Sequence, residues 1–493
     1  MKPEEIKVVI GEVDGLIRKG EGNAAQKRLL DLAKGRLPRP QLLPVAVLMR
    51  RAGLPDWGIR LLNPIIRTTS KALSTATEAE KAEYAASLTR IGATQEALRI
   101  LSGLNATSTP EALLFQSIAQ FTLWDYAAAL PLLARFVATP SISDYQRLVG
   151  SVNLLAALIH EKHFERADGL LKQLLERTKT PELNLLHGNI LELAAQNAIF
   201  HADWKAADGY IQQSEAALSN TNTMDAFYTR KWRAVLALMQ APNKEASRSG
   251  LENVRREARE RRHWETLRDC DYFEAIARRD GALGARLYFG TPYVAYRERL
   301  ARELGAVLVI PRKFVWRVGP RGKVKGQYDL LLGGEEGEGL KDGQLPHRLL
   351  TILASDFYRP HRVATICDLL YPNQFFNPRT SPLRVHQVIL RLRRWFDDEG
   401  LPMTIDEEAG RFRLQASVPF ELVLAAPFAA GKARSGAIAK LSQAFGKDPF
   451  SVSRAMELLG GSESTTLRLL KRAVEDGDVR VTGQGKNTRY LFP

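Results

Sequence analysis

The sequence predicts a mostly α protein, an N-terminal α-solenoid followed by two small α+β domains. Three observations carry this. Small residues recur at steps of 32 to 40 positions through the first 300 residues, in a helical register. After Gly305 the helical period gives way to short β-rich runs broken by Pro and Gly. Beyond that point two stretches each read as three helices followed by a β-hairpin. The expected division is 1–300, 301–424 and 425–493.

The chain has 493 residues and a net charge of +15, from 70 Lys+Arg against 55 Asp+Glu. Apolar content is 45%, that of an ordinary globular chain. The excess of positive charge favours a polyanionic partner, double-stranded DNA first and an anionic membrane second. It is shared between the parts: residues 301–493 hold 29 basic and 21 acidic residues, and the remainder of the excess lies in 1–300. Two Cys, Cys270 and Cys367, make no disulfide framework and no metal-site spacing. The opening MKPEEIKVVIGEVDGL lacks the apolar stretch of a signal peptide. No apolar run approaches the roughly 20 residues that span a bilayer. A reducing cytoplasm, beside the nucleoid, is the expected compartment, with no membrane partner.

The repeats are aligned on Ala25, Gly58, Ala97, Ala129, Ala167, Ala207 and Ala246. Four residues later come Leu29, Leu62, Leu101, Leu133, Leu171 and Ile211, with Gly250 breaking the rule. Three residues earlier come Tyr126, Phe164 and Trp204 in the middle repeats. Twelve earlier come Ala46, Ala85, Ser117, Ala195 and Ala234, with Leu155 departing. Small residues let paired helices approach, and large ones fill the groove beside them. Pro110 and Pro181 suit first helical turns, and Thr77 with Glu80 suits a capping box. This pattern, over about Ala24 to Gly290, resembles the tetratricopeptide repeat in degenerate form. The resemblance implies a superhelix with a concave binding surface, for a protein, a peptide or a small-molecule ligand. The run RREARERR, Arg255 to Arg262, reads as a solvated helix face rather than a phosphate site.

In 301–424 the runs Val307–Ile310, Phe314–Val318 and Tyr328–Leu332 read as strands, with GPRGKVKG (319–326) as a hairpin loop. Helices come next at His347–Ser355, Val363–Leu370 and from Ser381, whose side chain would cap a helix with Pro382 at its first position. Val385, Val388, Ile389, Leu392, Trp395 and Phe396 form the apolar face of that third helix. Arg384, Gln387, Arg391 and Arg394 file along the other face. Arg pairs bidentately with guanine and Gln with adenine, so this face suits a major groove. Met403–Ile405 and Arg411–Leu414 read as a closing hairpin. The stretches LLTILASDFYRPHRVATICDLLYP, RLRRWF and MTIDEEAGRFRL resemble the OmpR/PhoB-type winged helix of bacterial response regulators. The resemblance implies that the third helix enters the major groove, with Arg393 near its edge reaching a phosphate. The tip of the hairpin departs from the pattern: Asp406, Glu407 and Glu408 repel phosphate, so this wing is expected to face protein or another part of the chain.

After the small-residue stretch 425–436, helices read at Ser435–Phe445, Ser451–Leu459 and Ser462–Asp476. Ser462 caps the third, whose buried face is Leu467, Leu470 and Val474. Ser464, Thr465, Arg468, Lys471 and Arg472 point outward, and strands 479–482 and 488–492 flank a basic tip with Lys486 and Arg489. This unit resembles a winged helix-turn-helix of the general bacterial regulator kind, which implies DNA contact through its third helix and wing.

No phosphate loop, metalloprotease helix, nucleophile elbow or paired-carboxylate site stands out, so no enzyme, cofactor or metal is expected. His160 and His163 read as surface histidines. The expected function is a DNA-binding transcription regulator with a sensing repeat domain. The alternative is an interaction scaffold whose repeats and winged helices all bind proteins. A protein-binding third helix should expose apolar residues, and neither does so clearly in the sequence. Homodimer formation stays open.

Overall fold

A computed structural model describes residues 3–18, 21–67, 76–218, 224–330, 340, 343–372, 374–425, 436–446, 448–460, 462–475, 479–483, 485 and 488–492. The fold is an α-solenoid with small α+β parts at its C-terminal end. The repeat half is α1 (Pro3–Arg18), α2 (Gly22–Ala33), α3 (Leu42–Arg51), α4 (Pro55–Ile66), α5 (Glu78–Ile91), α6 (Thr94–Ser102), α7 (Glu111–Thr122), α8 (Tyr126–Ala138) and α9 (Asp144–His160). It continues with α10 (Phe164–Arg177), α11 (Asn184–Phe200), α12 (Trp204–Leu218), α13 (Met224–Gln240), α14 (Glu245–Glu260), α15 (Trp264–Arg278), α16 (Gly281–Phe289) and α17 (Val294–Leu304).

These are tetratricopeptide-like hairpins, and the small-residue register explains them. Ala25, Gly58, Ala97, Ala129, Ala167 and Ala207 are buried, and so are Ala46, Ala85, Ser117 and Ala195, which lie twelve residues before Gly58, Ala97, Ala129 and Ala207. Leu155 is buried too, so the larger residue is accommodated rather than excluded. The last anchor lies one position beyond the one the spacing selects. Ala246 is exposed, whereas Ser247 is buried and donates to the Ala237 carbonyl at 3.0 Å. Four residues on lies buried Leu251, so the seventh repeat keeps the rule that Gly250 breaks on paper. The turns repeat as well: Trp124, Lys162, Ala202 and Arg262 have φ of 60°, 59°, 58° and 58°, each two residues before the aromatic that opens the next helix. The Thr77–Glu80 capping box is present, and Ser143 with Gln146 forms another. Pro181 opens a short 3-10 turn.

Odd-numbered helices pack on each other, α3 on α5 on α7, and α9 through α11, α13 and α15 to α17. They form the layer through which successive hairpins touch. A unit with two small sheets follows them. Its elements are β1 (Lys313–Val318), β2 (Gln327–Asp329), α18 (Leu345–Leu353), β3 (His361–Arg362), α19 (Val363–Leu370), α20 (Ser381–Asp398), β4 (Met403–Glu408), β5 (Arg411–Ala416) and β6 (Phe420–Ala425). One sheet has the order β1-β6-β2, with β6 antiparallel to β1 and parallel to β2; the other is antiparallel, in the order β3-β5-β4. The expected strand at 307–310 is absent, and Gly305–Val307 is a 3-10 turn instead. Residues 319–326 are not a hairpin loop, because β6 lies between β1 and β2. β6 itself is not among the expected strands; its run FELVLA sits beside a small-residue stretch that reads as a linker.

This unit bridges early and late repeats. Ala93 cannot cap α6, and Asp368 of α19 does so from across the chain, accepting from the amides of Gln95 at 2.8 Å and Glu96 at 3.2 Å. Glu96 in return accepts from the Phe376 amide at 2.7 Å. Gly92, at φ 95°, ends α5 against Thr365, where a Cβ would have no room. On the late side, the buried guanidinium of Arg268 donates to both oxygens of Asp356 at 2.7 Å, and Tyr358 donates to Asp271 at 2.7 Å. Gly290 accepts from the Phe357 amide at 3.1 Å, and a side chain there would overlap the Phe357 ring. One apolar cluster accordingly runs from Ala46 through Leu304 to Leu424.

The last unit is α21 (Gly436–Phe445), α22 (Val452–Leu459), α23 (Glu463–Glu475) and the pair β7 (Arg480–Thr482) and β8 (Arg489–Leu491). Its core, Ile438, Leu441, Phe450, Ala455, Leu470, Ala473, Val479, Tyr490 and Phe492, is a cluster to itself. Among the described residues no helix is long and apolar enough to cross a membrane.

Candidate functional site

Two places combine exposed or buried polar chemistry with defined geometry: the outer face of α20 and a cavity inside the repeats.

α20 starts one residue earlier than the cap reading implies. Ser381 is its first residue, and its hydroxyl accepts from the Asn377 amide at 2.9 Å, tying down the approach loop. Val385, Val388, Ile389, Leu392 and Phe396 are buried against α18, α19 and β4. Gln387, Arg391 and Arg394 are exposed on the other side, as expected. Two members of the expected DNA-contacting set are occupied within the protein. Arg384 donates to Gln374 at 2.6 Å and lies 4.0 Å over the Tyr371 ring. Arg393 is half-buried and donates to the Ile405 carbonyl, pinning α20 to β4. The outer face is also less polar than it reads. Leu383 is 63% exposed and Leu390 49% exposed, so apolar residues share the file after all.

The acidic hairpin tip turns on Ala409 and Gly410, both at positive φ, which is the turn geometry that suits a tight hairpin. Glu408 pairs with Arg262 of the repeats. The wing therefore faces the chain's own helices. Arg413 of β5 lies 4.6 Å over the Trp264 ring beside it. The run 255–262 is largely a solvated face, as expected, with Arg256, Arg259, Glu260, Arg261 and Arg262 exposed, and Arg255 is the member drawn inward. Arg255 is held by Asp271 at 2.8 Å and Glu274 at 2.5 Å, and the two carboxylates keep its pKa up against burial.

On α23, Ser464, Thr465, Arg468 and Lys471 are exposed, and Arg472 lies on the same helix. Ser462 caps as expected, its hydroxyl accepting from the Thr465 amide at 3.4 Å. Arg468 donates back to the Ser464 carbonyl at 3.2 Å. Leu467 is 40% exposed, so it belongs to the outer face and Ala473 takes its place in the core. Arg489 is exposed on β8, and Lys486 lies outside the described residues.

The second place is a cavity of about 190 Å³ lined by α11, α13, α15 and α17, by the end of α9 and by the turn from α7 into α8. Aromatic rings make its walls, among them Trp124, Tyr126, Trp232 and Phe273. His160, expected at the surface, stacks on Tyr126 at 4.1 Å and accepts from Arg299 at 2.7 Å. Burial, with Arg299 and Lys231 adding to it, pushes its pKa well below the ordinary histidine value. Lys231 donates to Asp269 at 2.9 Å, and its ammonium lies 4.5 Å over the Trp232 ring. Burial works against that ammonium, but Asp269 and Glu192 hold its pKa up. Glu192 accepts from Trp232 at 2.9 Å and Gln196 at 3.0 Å, and burial pushes its carboxyl up to about 7. Sequence reasoning missed this site. Its signal is a charged residue on the inner side of otherwise apolar helices, as in LELAA, KWRAVLAL and VAYRERL. Among the described residues no group of side chains could hold a metal ion.

No protein-family profile matches the chain, and no curated protein sequence does. Solved structures similar to it include a Rap protein complexed with competence and sporulation factor, at 14% identity and a TM-score of 0.43, covering 61% of this chain and 89% of that one. Another is the Rap conjugation gene regulator of plasmid pLS20 in complex with the Phr* peptide, at 9% identity and a TM-score of 0.36, covering 62% and 94%. A third is aspartyl phosphate phosphatase F from Bacillus subtilis, at 10% identity and a TM-score of 0.35, covering 62% and 93%. Likeness at this level carries no partner or activity over to the present chain.

Proposed function

We propose that the protein is an interaction scaffold, in which the repeats and residues 307–425 form one frame that offers the outer face of α20 to a protein partner. The observation that carries this is the pair Leu383 and Leu390, exposed in one file with Gln387 and Arg394 at steps of four, three and four. Such a file suits an amphipathic partner segment whose apolar side chains are flanked by acids, because Arg391 and Arg394 border the leucines. Two further facts support it: Arg384 and Arg393 are engaged internally, and the acidic wing faces the repeats.

A second reading is the DNA-binding transcription regulator, with 301–424 and 425–493 as winged helices behind a repeat domain of 1–300. Its support is the exposure of Gln387, Arg391 and Arg394, of Ser464, Thr465, Arg468 and Lys471 on α23, and the net charge of +15. The experiment pairs Leu390→Asp with Arg391→Ala in the full chain. Each variant is measured for quantitative protein enrichment and for binding to genome-mapped DNA. The scaffold reading expects Leu390→Asp to lose its partner by more than about tenfold, with DNA binding weak and indifferent to sequence. Loss of about 1–3 kcal/mol of sequence-specific DNA binding in Arg391→Ala, with protein enrichment unchanged in Leu390→Asp, would establish the second reading instead.

A further inference from the structure

The cavity inside the repeats holds a buried cation that makes no direct ion pair with a carboxylate among the described residues. Arg299 is 7% exposed, and its guanidinium donates to the imidazole of His160. That imidazole is held neutral by its surroundings, so it offers a lone pair and no charge. The acids nearby are engaged elsewhere. Asp269 takes Lys231, Glu303 takes Lys162 at 2.6 Å, and Glu192 accepts from Trp232 and Gln196. Among the described residues, no carboxylate lies within ion-pair distance of Arg299. A buried guanidinium in that state is costly unless an anion joins it.

Two donors also lack acceptors. Arg299 Nε and the Tyr296 hydroxyl are buried without a hydrogen-bond partner. They stand three residues apart on α17, hence on one face, and both residues line the cavity. Other buried donors of this structure also lack a partner, Arg268 Nε among them, but these two belong to residues that line a cavity into which an acceptor can enter. The rest of the wall joins the Lys231–Asp269 pair, Glu192 and Gln196 to a set of aromatic rings, and a bare inorganic anion would leave those rings uncovered. Size limits the occupant: an apolar cavity of about 150 Å³ takes one benzene, so about 190 Å³ takes a ring with one small substituent.

We propose that this cavity is a binding site for a small aromatic carboxylate, its charge on Arg299 and the Tyr296 hydroxyl and its ring among Trp124, Trp232 and Phe273. Arg299 supplies charge, and Tyr296 supplies a neutral donor for the same carboxylate. The site is independent of what α20 binds, since α20 contributes nothing to its walls.

The test uses the full chain and four probes: benzoate, benzylamine, benzyl alcohol and inorganic phosphate. Each is titrated to about 10 mM at neutral pH while tryptophan fluorescence and melting temperature are followed. Benzoate is expected to saturate the fluorescence change and raise the melting temperature, with benzyl alcohol weaker and benzylamine and phosphate doing neither. Tyr296→Phe removes an oxygen that bonds nothing, so it should fold normally and weaken benzoate several-fold. Arg299→Gln should weaken it by about tenfold or more. Should Arg299→Gln fail to fold, Tyr296→Phe carries the test alone. The proposal is overturned by benzoate failing to saturate, by any of the other three probes binding as well as benzoate, or by unchanged affinity in Tyr296→Phe.

Discussion

Residues 307–425 and 436–493 share an element order, three helices and then a hairpin, yet they sit in the molecule in opposite ways. The first has no core of its own: its apolar residues continue the cluster that begins at Ala46. The second closes a core from Ile438 to Phe492 without help. The hairpin tips differ in the same sense. The first carries Asp406, Glu407 and Glu408 and reaches Arg262, whereas basic Arg489 stands exposed on the second. One element order thus serves as a structural closure in one place and as a self-contained unit in the other. What decides between them is the surface each must bury.

The largest effect should come from cutting that closure. A chain of residues 1–425 should unfold at nearly the full-length midpoint, because the last unit shares no core with the rest. A chain of residues 1–306 leaves the Ala46–Leu304 part of the cluster open to water. It should lose more than about 5 kcal/mol, enough to unfold an ordinary domain. Urea denaturation followed by circular dichroism compares the two. Equal midpoints would show that residues 307–425 are as separable as residues 436–493.

Next come the buried ions of the late-repeat contact. Arg268→Met leaves Asp356 charged and buried without its partner, and should cost about 3–5 kcal/mol in the main transition. The same contact is pH-sensitive. Burial pushes His361 down to about 4, with Asp356 opposing. Between about pH 6.5 and 4 the unfolded chain therefore binds a proton that the folded chain refuses. The stability from neutral His361 is complete above pH 6.5 and is lost as pH falls through this window, by about 3 kcal/mol in total. His361→Gln should flatten this slope in urea midpoints measured across the window, while amide-exchange protection of the last unit stays unmoved by the substitution.

A smaller effect is expected on the early-repeat side. Asp368→Ala removes the N-cap of α6 and should cost about 0.5–2 kcal/mol. Asp368→Asn keeps an acceptor oxygen and should recover most of this. If both variants lose the same amount, the charge near Arg99, 3.8 Å away, matters more than the cap.

This cap shows where the sequence was legible and where it was not. Local signals read well. The Thr77 box, the Ala and Leu register and the apolar face of α20 all follow from spacings within a few turns. Ala246 and Ser247 differ by one position, and two adjacent small side chains leave the anchor ambiguous. What could not be read is how the chain returns on itself. Ala93 looks like a poor cap, and nothing nearby says that Asp368 will supply one. Leu383 and Leu390 look like core residues by type, although their steps of four and three from Gln387 already place them on the polar side of α20. Arg299 and Lys231 look like ordinary surface cations until α17 closes over α7 and α9.

The smallest effect tests the hairpin tip. Arg262 and Glu408 are 52% and 66% exposed, so solvent screens their attraction. A double-mutant cycle of Arg262→Ala and Glu408→Ala should give a coupling of about 0.2–1 kcal/mol, weakening as salt is added. The Glu408→Ala variant should leave any DNA affinity of the full chain unchanged or slightly raised, because the carboxylate is spent on the repeats and a carboxylate repels phosphate. Two results would break the comparison between the hairpins. Zero coupling would mean that the tip does not rest on the repeats in solution. A loss of DNA affinity in Glu408→Ala would mean that the first hairpin reaches DNA through its acids, and that it is the docking to the repeats that must yield when DNA binds.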